Sequence, residues 1–146
     1  MKLEALALLP LLFLLAAEPA ETESYRQDLA ALQGTWKPVS MEMDGKFLTE
    51  EQIGKTRLTV QGEKFTFDTG KDSHEGLYKI DPSHDPKHLD IEITRGEEVG
   101  KTYLVIYKFS EDKMIQCMEV SNAKRASDFT GRKGSGNLYE IWERVK

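Results

Sequence analysis

Cys117 is the only cysteine in the chain and the first candidate nucleophile. A thiol attacks as its thiolate, which needs a neighbouring base or positive charge. Cys117 lies instead in the apolar-rich run Met114-Ile115-Gln116-Cys117-Met118, with no histidine near it in sequence. The expectation is a buried, inert thiol. The three histidines are His74, His84 and His88. His84 and His88 have the spacing of helical zinc ligands, but Pro86 between them breaks any helix that would align their rings. No metal and no cofactor are expected. Asp81 and Asp90 read as residues that cap their own turns, since acid–base work would need a cleft holding both. There is no Gly-X-Ser-X-Gly and no phosphate loop, so the protein is expected not to be an enzyme.

Binding chemistry has one stronger candidate. Residues 121–136 form a polar stretch with three glycines, Lys124, Arg125, Arg132 and Lys133, and Phe129 stands among these charges. Long connections at the rim of a scaffold often carry function. Arg125 and Phe129 are therefore the candidate ligand-binding residues, suited to a molecule with an anionic head and an apolar tail. The competing reading is a solvated loop with Phe129 tucked onto the fold.

The rest of the chain limits what such a site serves. Acidic residues outnumber basic ones by 25 to 20, a net charge of −5, which argues against nonspecific binding to nucleic acid or anionic membranes. Residues 5–17 are entirely apolar, follow Lys2, and end in small residues before Glu18, Pro19 and Glu21. That is the pattern of a cleaved export signal and is too short for a membrane span. Cleavage after Ala17 or Ala20 is expected, giving a periplasmic, cell-envelope or extracellular protein with no membrane span. Residues 1–20 are the targeting segment, 21–31 a helical lead-in and 32–146 the folded domain. With one cysteine no internal disulfide can form, so the hydrophobic core must hold that domain.

The elements that would position a site are mostly strands. Tyr25, Leu29 and Leu32 are spaced for a short helix over 24–32, capped by Ser24 and stopped by Gly34. Thereafter the apolar period is two. Strands are expected at 35–43, 56–61, 64–69, 76–80, 89–94, 102–109, 113–120 and 137–145, with one helical turn at 49–53. Leu58, Val60, Phe65, Phe67, Leu89, Ile91 and Ile93 should share an inward face. In 35–43, Val39, Met41 and Met43 alternate together while Trp36 is out of phase and Pro38 lacks a donor, which predicts a bulge or an edge. Residues 102–109 are apolar on both faces, so their inward side cannot be read. Eight short-linked strands fit an antiparallel up-and-down barrel, with a two-sheet sandwich as the alternative.

Leu32-Gln33-Gly34-Thr35-Trp36 resembles the opening of a lipocalin, with its Gly-X-Trp, and Arg144 stands where lipocalins place an Arg over that Trp. From 32 to 144 the chain also resembles a lipocalin-like domain family of uncharacterised function, abundant in planctomycete genomes. The matching residues include Met43-Asp44-Gly45, Ile80-Asp81, Pro86, Leu89-Asp90, Gly100-Lys101-Thr102, Ile106-Tyr107, Asp112, Cys117, Arg125 and Phe129. Val105 replaces that family's usual Gly, and Ala126 its usual Pro. The resemblance implies an eight-stranded lipocalin-like barrel, export, and structural closure of one end by Trp36 and Arg144, both largely buried. It implies no reaction. Two functions stay open: a small apolar or amphipathic ligand in the barrel, or a cell-envelope protein-interaction module with a filled barrel.

Overall fold

A computed structural model describes residues 22–146, so the targeting segment expected at residues 1–20 lies outside the described residues. Thr22 opens the first helix, α1 (Glu23–Leu32), its hydroxyl accepting from the Tyr25 amide. The cap is thus two residues earlier than Ser24, because Thr22 holds the extended backbone a cap requires. Gln33 ends α1 and staples it to the barrel. Its amide donates to the Leu29 and Gly62 carbonyls, and the Gly62 N–H donates back to it.

Ten further elements follow: β1 (Gly34–Met43), β2 (Lys46–Phe47), α2 (Glu50–Ile53), β3 (Arg57–Gln61), β4 (Lys64–Asp68), β5 (Ser73–Asp81), β6 (Lys87–Arg95), β7 (Thr102–Ser110), β8 (Lys113–Glu119) and β9 (Asn137–Arg144). Each strand from β3 to β8 pairs antiparallel with the next, β1 pairs with β3, and β1–β9 pairing closes an eight-stranded barrel. The short β2 is an addition to the eight. Asp44 and Gly45, both at positive φ, make the two-residue turn that folds it back on β1. Thr49 and Gln52 form a reciprocal capping box that starts α2.

The bulge in β1 lies between Pro38 and Ser40, where Pro38 faces Trp142 and Ser40 faces Ile141. The inserted residue, Val39, is thrown outward and exposed, so Trp36 and Met41 both reach the interior despite their odd spacing. This corrects the shared face expected for Val39, Met41 and Met43. Elsewhere the alternation holds. Leu58, Val60, Phe65, Leu89 and Ile93 are buried in the barrel, while Asp90 and Glu92 pair outside with Arg125 and Lys79.

The two-faced apolarity of β7 has a physical cause. Val105 and Tyr107 join the barrel core, while Ile106 points outward into a second cluster with Cys117 and Ala126, covered by Phe129 and Tyr139. Residues 121–136 are the cover, and they are tied down. Asn122 bridges the Leu104 N–H and Thr102 carbonyl, Gly131 accepts from the Gly45 N–H, and Gly134 donates to Asp44.

One end of the barrel is shut by α1. Trp36 is 1% exposed and its indole N–H donates to the Leu32 carbonyl. The Arg144 guanidinium lies 4.4 Å from the Trp36 ring centroid and donates to the Ala31 and Gln33 carbonyls at the helix C-terminus. Arg144 itself is exposed, which corrects the expectation that both are buried: it lies over the Trp as an outer cap. Gly34, at φ +116°, makes room, since a Cβ there would sit 2.9 Å from the Arg144 guanidinium.

Asp28 fixes the other side of α1, accepting from the Tyr107 hydroxyl and the Lys87 ammonium, both at 2.8 Å. Burial, then the Asp28 carboxylate, push the Tyr107 phenol well above its usual range, so it remains a donor. Asp28→Ala leaves a buried hydroxyl without its partner and should cost about 1–3 kcal/mol in urea unfolding. Adding Tyr107→Phe should recover part of that loss. An unchanged midpoint for Asp28→Ala would remove this contact from the account.

Candidate ligand cavity

Strand alternation places large apolar side chains inside, but they do not fill the barrel. A cavity of about 270 Å³ remains toward the end opposite α1. Its wall is mainly aromatic and aliphatic, including Phe65, Phe67, Ile91, Ile93, Leu138 and Trp142. Phe67 stands edge-on to Trp142 at 6.3 Å, and Phe65 is 4.9 Å from Tyr78. Phe67, Ile93 and Met118 near the ends of β4, β6 and β8, with His74, Tyr103 and Leu138 near the starts of β5, β7 and β9, set its outer part at the end from which residues 121–136 depart, while Phe65, Tyr78 and Trp142 line it deeper.

Two polar side chains enter this apolar wall because they share the inward phase of their strands. On β8, Gln116 follows Met114 and precedes Met118, and its amide donates to the Tyr78 hydroxyl at 3.2 Å. On β9, Glu140 lies between Leu138 and Trp142, and accepts from the Trp142 indole N–H at 2.8 Å. Glu140 points into the barrel and is half-buried, and the surface it retains lines the cavity. Burial pushes its carboxyl up to about 7, against the lesser opposing pull of the Trp142 hydrogen bond. Burial likewise raises the Tyr78 phenol well above its usual range, with the Glu140 charge adding to it.

At the mouth, the Tyr103 hydroxyl donates to Glu98 at 2.5 Å, and the Lys101 ammonium lies 4.6 Å from the Tyr103 ring centroid. The Tyr103 hydrogen bond holds the Glu98 carboxyl below its usual value. His74 stacks on Phe67 at 6.5 Å, and its buried Nδ1 has no hydrogen-bond partner.

Glu140 and Gln116 were the residues to find, and the sequence carried their signal: each is polar yet in phase with an inward apolar face. Arg125 and Phe129 do not line the cavity. Arg125 bonds Asp90 at 2.6 Å and the Leu89 and Val105 carbonyls, so its donors serve the barrel wall. Phe129 covers the outer cluster, with the Lys108 ammonium 4.3 Å from its ring centroid. The structure therefore places both at an outer seam of the barrel wall. Arg125→Ala should cost about 1–3 kcal/mol by freeing buried acceptors, measured by chemical unfolding. It should leave cavity binding unchanged.

The remaining candidates lie elsewhere. Cys117 is fully buried, donates to the Thr130 carbonyl, and is raised above its ordinary value by burial. His84 and His88 stack at 3.7 Å with rings nearly parallel, contrary to the misalignment expected from Pro86. The Asp85–Pro86 bond is cis, and the loop brings the two rings together without a helix. Face-to-face stacking does not aim two nitrogens at one ion, and His84 bonds Asp81 at 3.1 Å. Among the described residues, no group of three or more His, Cys, Asp or Glu side chains converges as a metal site, and no helix is long and apolar enough to cross a membrane.

Compared with known proteins, the chain matches no family model, no curated protein and no solved structure.

Proposed function

We propose that this is an exported, noncatalytic, lipocalin-like protein that binds a small, largely apolar molecule inside its barrel. The cavity carries the proposal: about 270 Å³ of interior walled mainly by aromatic and aliphatic side chains. Small-molecule pockets begin at roughly 300 Å³, so the occupant is compact and not a long-chain lipid. The arrangement of Trp36 and Arg144 supports the lipocalin-like reading, and the apolar stretch at residues 5–17 supports export.

Apolar burial supplies most of the affinity, and the polar interior orients the ligand. A fluorescent probe that brightens in apolar surroundings should bind with a Kd on the order of tens of micromolar, about −6 kcal/mol. Arg125→Ala and Phe129→Ala should bind it equally well. Loss of probe binding in both would move the site to the 121–136 seam.

The second reading, a cell-envelope interaction module, is favoured by Val39, Met43 and Phe47, which are exposed along β1 and β2. Absence of probe binding to the wild type would favour it.

A further inference from the structure

Resting on the cavity reading above, we propose that the preferred ligand is a compact aromatic or aliphatic amine, bound as its ammonium form with Glu140 as counter-ion. The cavity presents two carboxyl groups, Glu98 and Glu140, and neither lysine nor arginine lines it; its one basic side chain, His74, acts on Glu98 at the mouth, and no cation partners Glu140. Glu140 has one hydrogen-bond partner, the Trp142 indole N–H on Oε2, which leaves Oε1 to a ligand. A buried carboxylate without a cation is costly, so an ammonium that enters beside it meets a group in need of charge.

The surroundings suit the same head group. Trp142, Phe67, Tyr78 and Phe65 put aromatic rings around the cavity, and ring faces attract cations more strongly where water is excluded. The groups packed around Glu140 do not supply the missing charge. From β5 come Tyr78, a phenol held protonated, and His74; from β7 comes Tyr103; from β8 comes the neutral Gln116. Glu98 at the mouth adds a second acid, and the nearby Lys101 is paired with it. A ligand carboxylate would face Glu140 and Glu98, with no lysine or arginine in the lining to receive it. This differs from the anionic head group suggested by the basic character of residues 121–136, of which Arg125 is spent on the outer wall.

Binding is coupled to a proton. Where Glu140 is protonated, its carboxyl must give that proton to solvent as the ammonium enters, and no covalent bond changes. Because the carboxyl titrates near 7, amine affinity should rise about tenfold per pH unit below that value and level off above it.

The test is isothermal titration of the purified protein with phenethylamine, phenethyl alcohol and hydrocinnamate, which share a phenyl tail and differ in head group. At pH 8 the amine should bind at least tenfold more tightly than the other two. At pH 6, titrations in buffers of different ionisation enthalpy should show close to one proton released per amine. Glu140→Gln, an isosteric change that keeps an acceptor for Trp142, should abolish both the preference and the proton release while the alcohol still binds. Equal or tighter binding of the alcohol or hydrocinnamate would overturn the amine assignment and leave the cavity reading standing. If neither these three nor the apolar probe bind, both proposals fall. An amine preference that survives in Glu140→Gln, with the alcohol still bound, would overturn the role of Glu140 alone.

Discussion

Glu140→Gln should stabilise the barrel by about 3 kcal/mol at pH 8 and by almost nothing at pH 4. The folded carboxyl titrates at about 7, whereas the unfolded chain holds it at the ordinary 4.5. Below 4.5 both states are protonated and the group carries no penalty. Between 4.5 and 7 the folded state keeps a proton that the unfolded state has lost, so stability falls as pH rises. Above 7 the penalty is complete and constant. The shift converts at 1.36 kcal/mol per pH unit, which sets the size of the effect. Glutamine retains an oxygen for the Trp142 N–H and has no charge to desolvate, so it should remove this part of the pH dependence. Urea unfolding at the two pH values checks it, and a Tm rise of roughly 10 °C at pH 8 should accompany it. A glutamine variant no more stable than wild type at pH 8 would mean that water solvates the carboxylate fully.

Trp36→Ala should lower stability by about 3–5 kcal/mol, the largest loss expected from a single substitution at the closed end. The indole is 1% exposed and contacts strand, helix and guanidinium together. Its removal leaves a void that α1 cannot collapse into while Arg144 and Gln33 hold the helix end. Arg144→Ala should cost less, about 1–2 kcal/mol. Its guanidinium is exposed, and its contributions are one cation–π contact and hydrogen bonds to carbonyls at the C-terminus of α1, where positive charge is favourable. Thermal unfolding of the two variants ranks them. A Trp36→Ala variant that melts with wild type would show that the closed end does not depend on the indole.

Much of the barrel could be read from the chain because its strands are half-wet. Leu89, Ile91 and Ile93 alternate with Asp90, Glu92 and Thr94, and a period of two with short links leaves few topologies. Reading failed where a second layer intervened. Ile106 and Cys117 are apolar and point away from the barrel, because residues 121–136 fold down on that wall. Nothing local in β7 marks a cover that arrives from beyond β8. The same layer explains why Arg125 and Phe129 looked like a rim site. Charge clustered around an aromatic in a long glycine-containing loop is also what a tethered cover requires. Glu140 was legible in principle as an acid in phase with Leu138 and Trp142. Knowing that this face turns toward an unfilled interior needed the closure of β1 on β9.

The most direct test of the barrel as a ligand site is methyl NMR during titration with phenethylamine at pH 8. Resonances of Ile91, Ile93, Met118 and Leu138, which line the cavity, should shift saturably, while Ile106 in the outer cluster stays still. Shifts confined to Ile106, Val39 or other outward methyls would contradict the account and place recognition on the outside of the barrel.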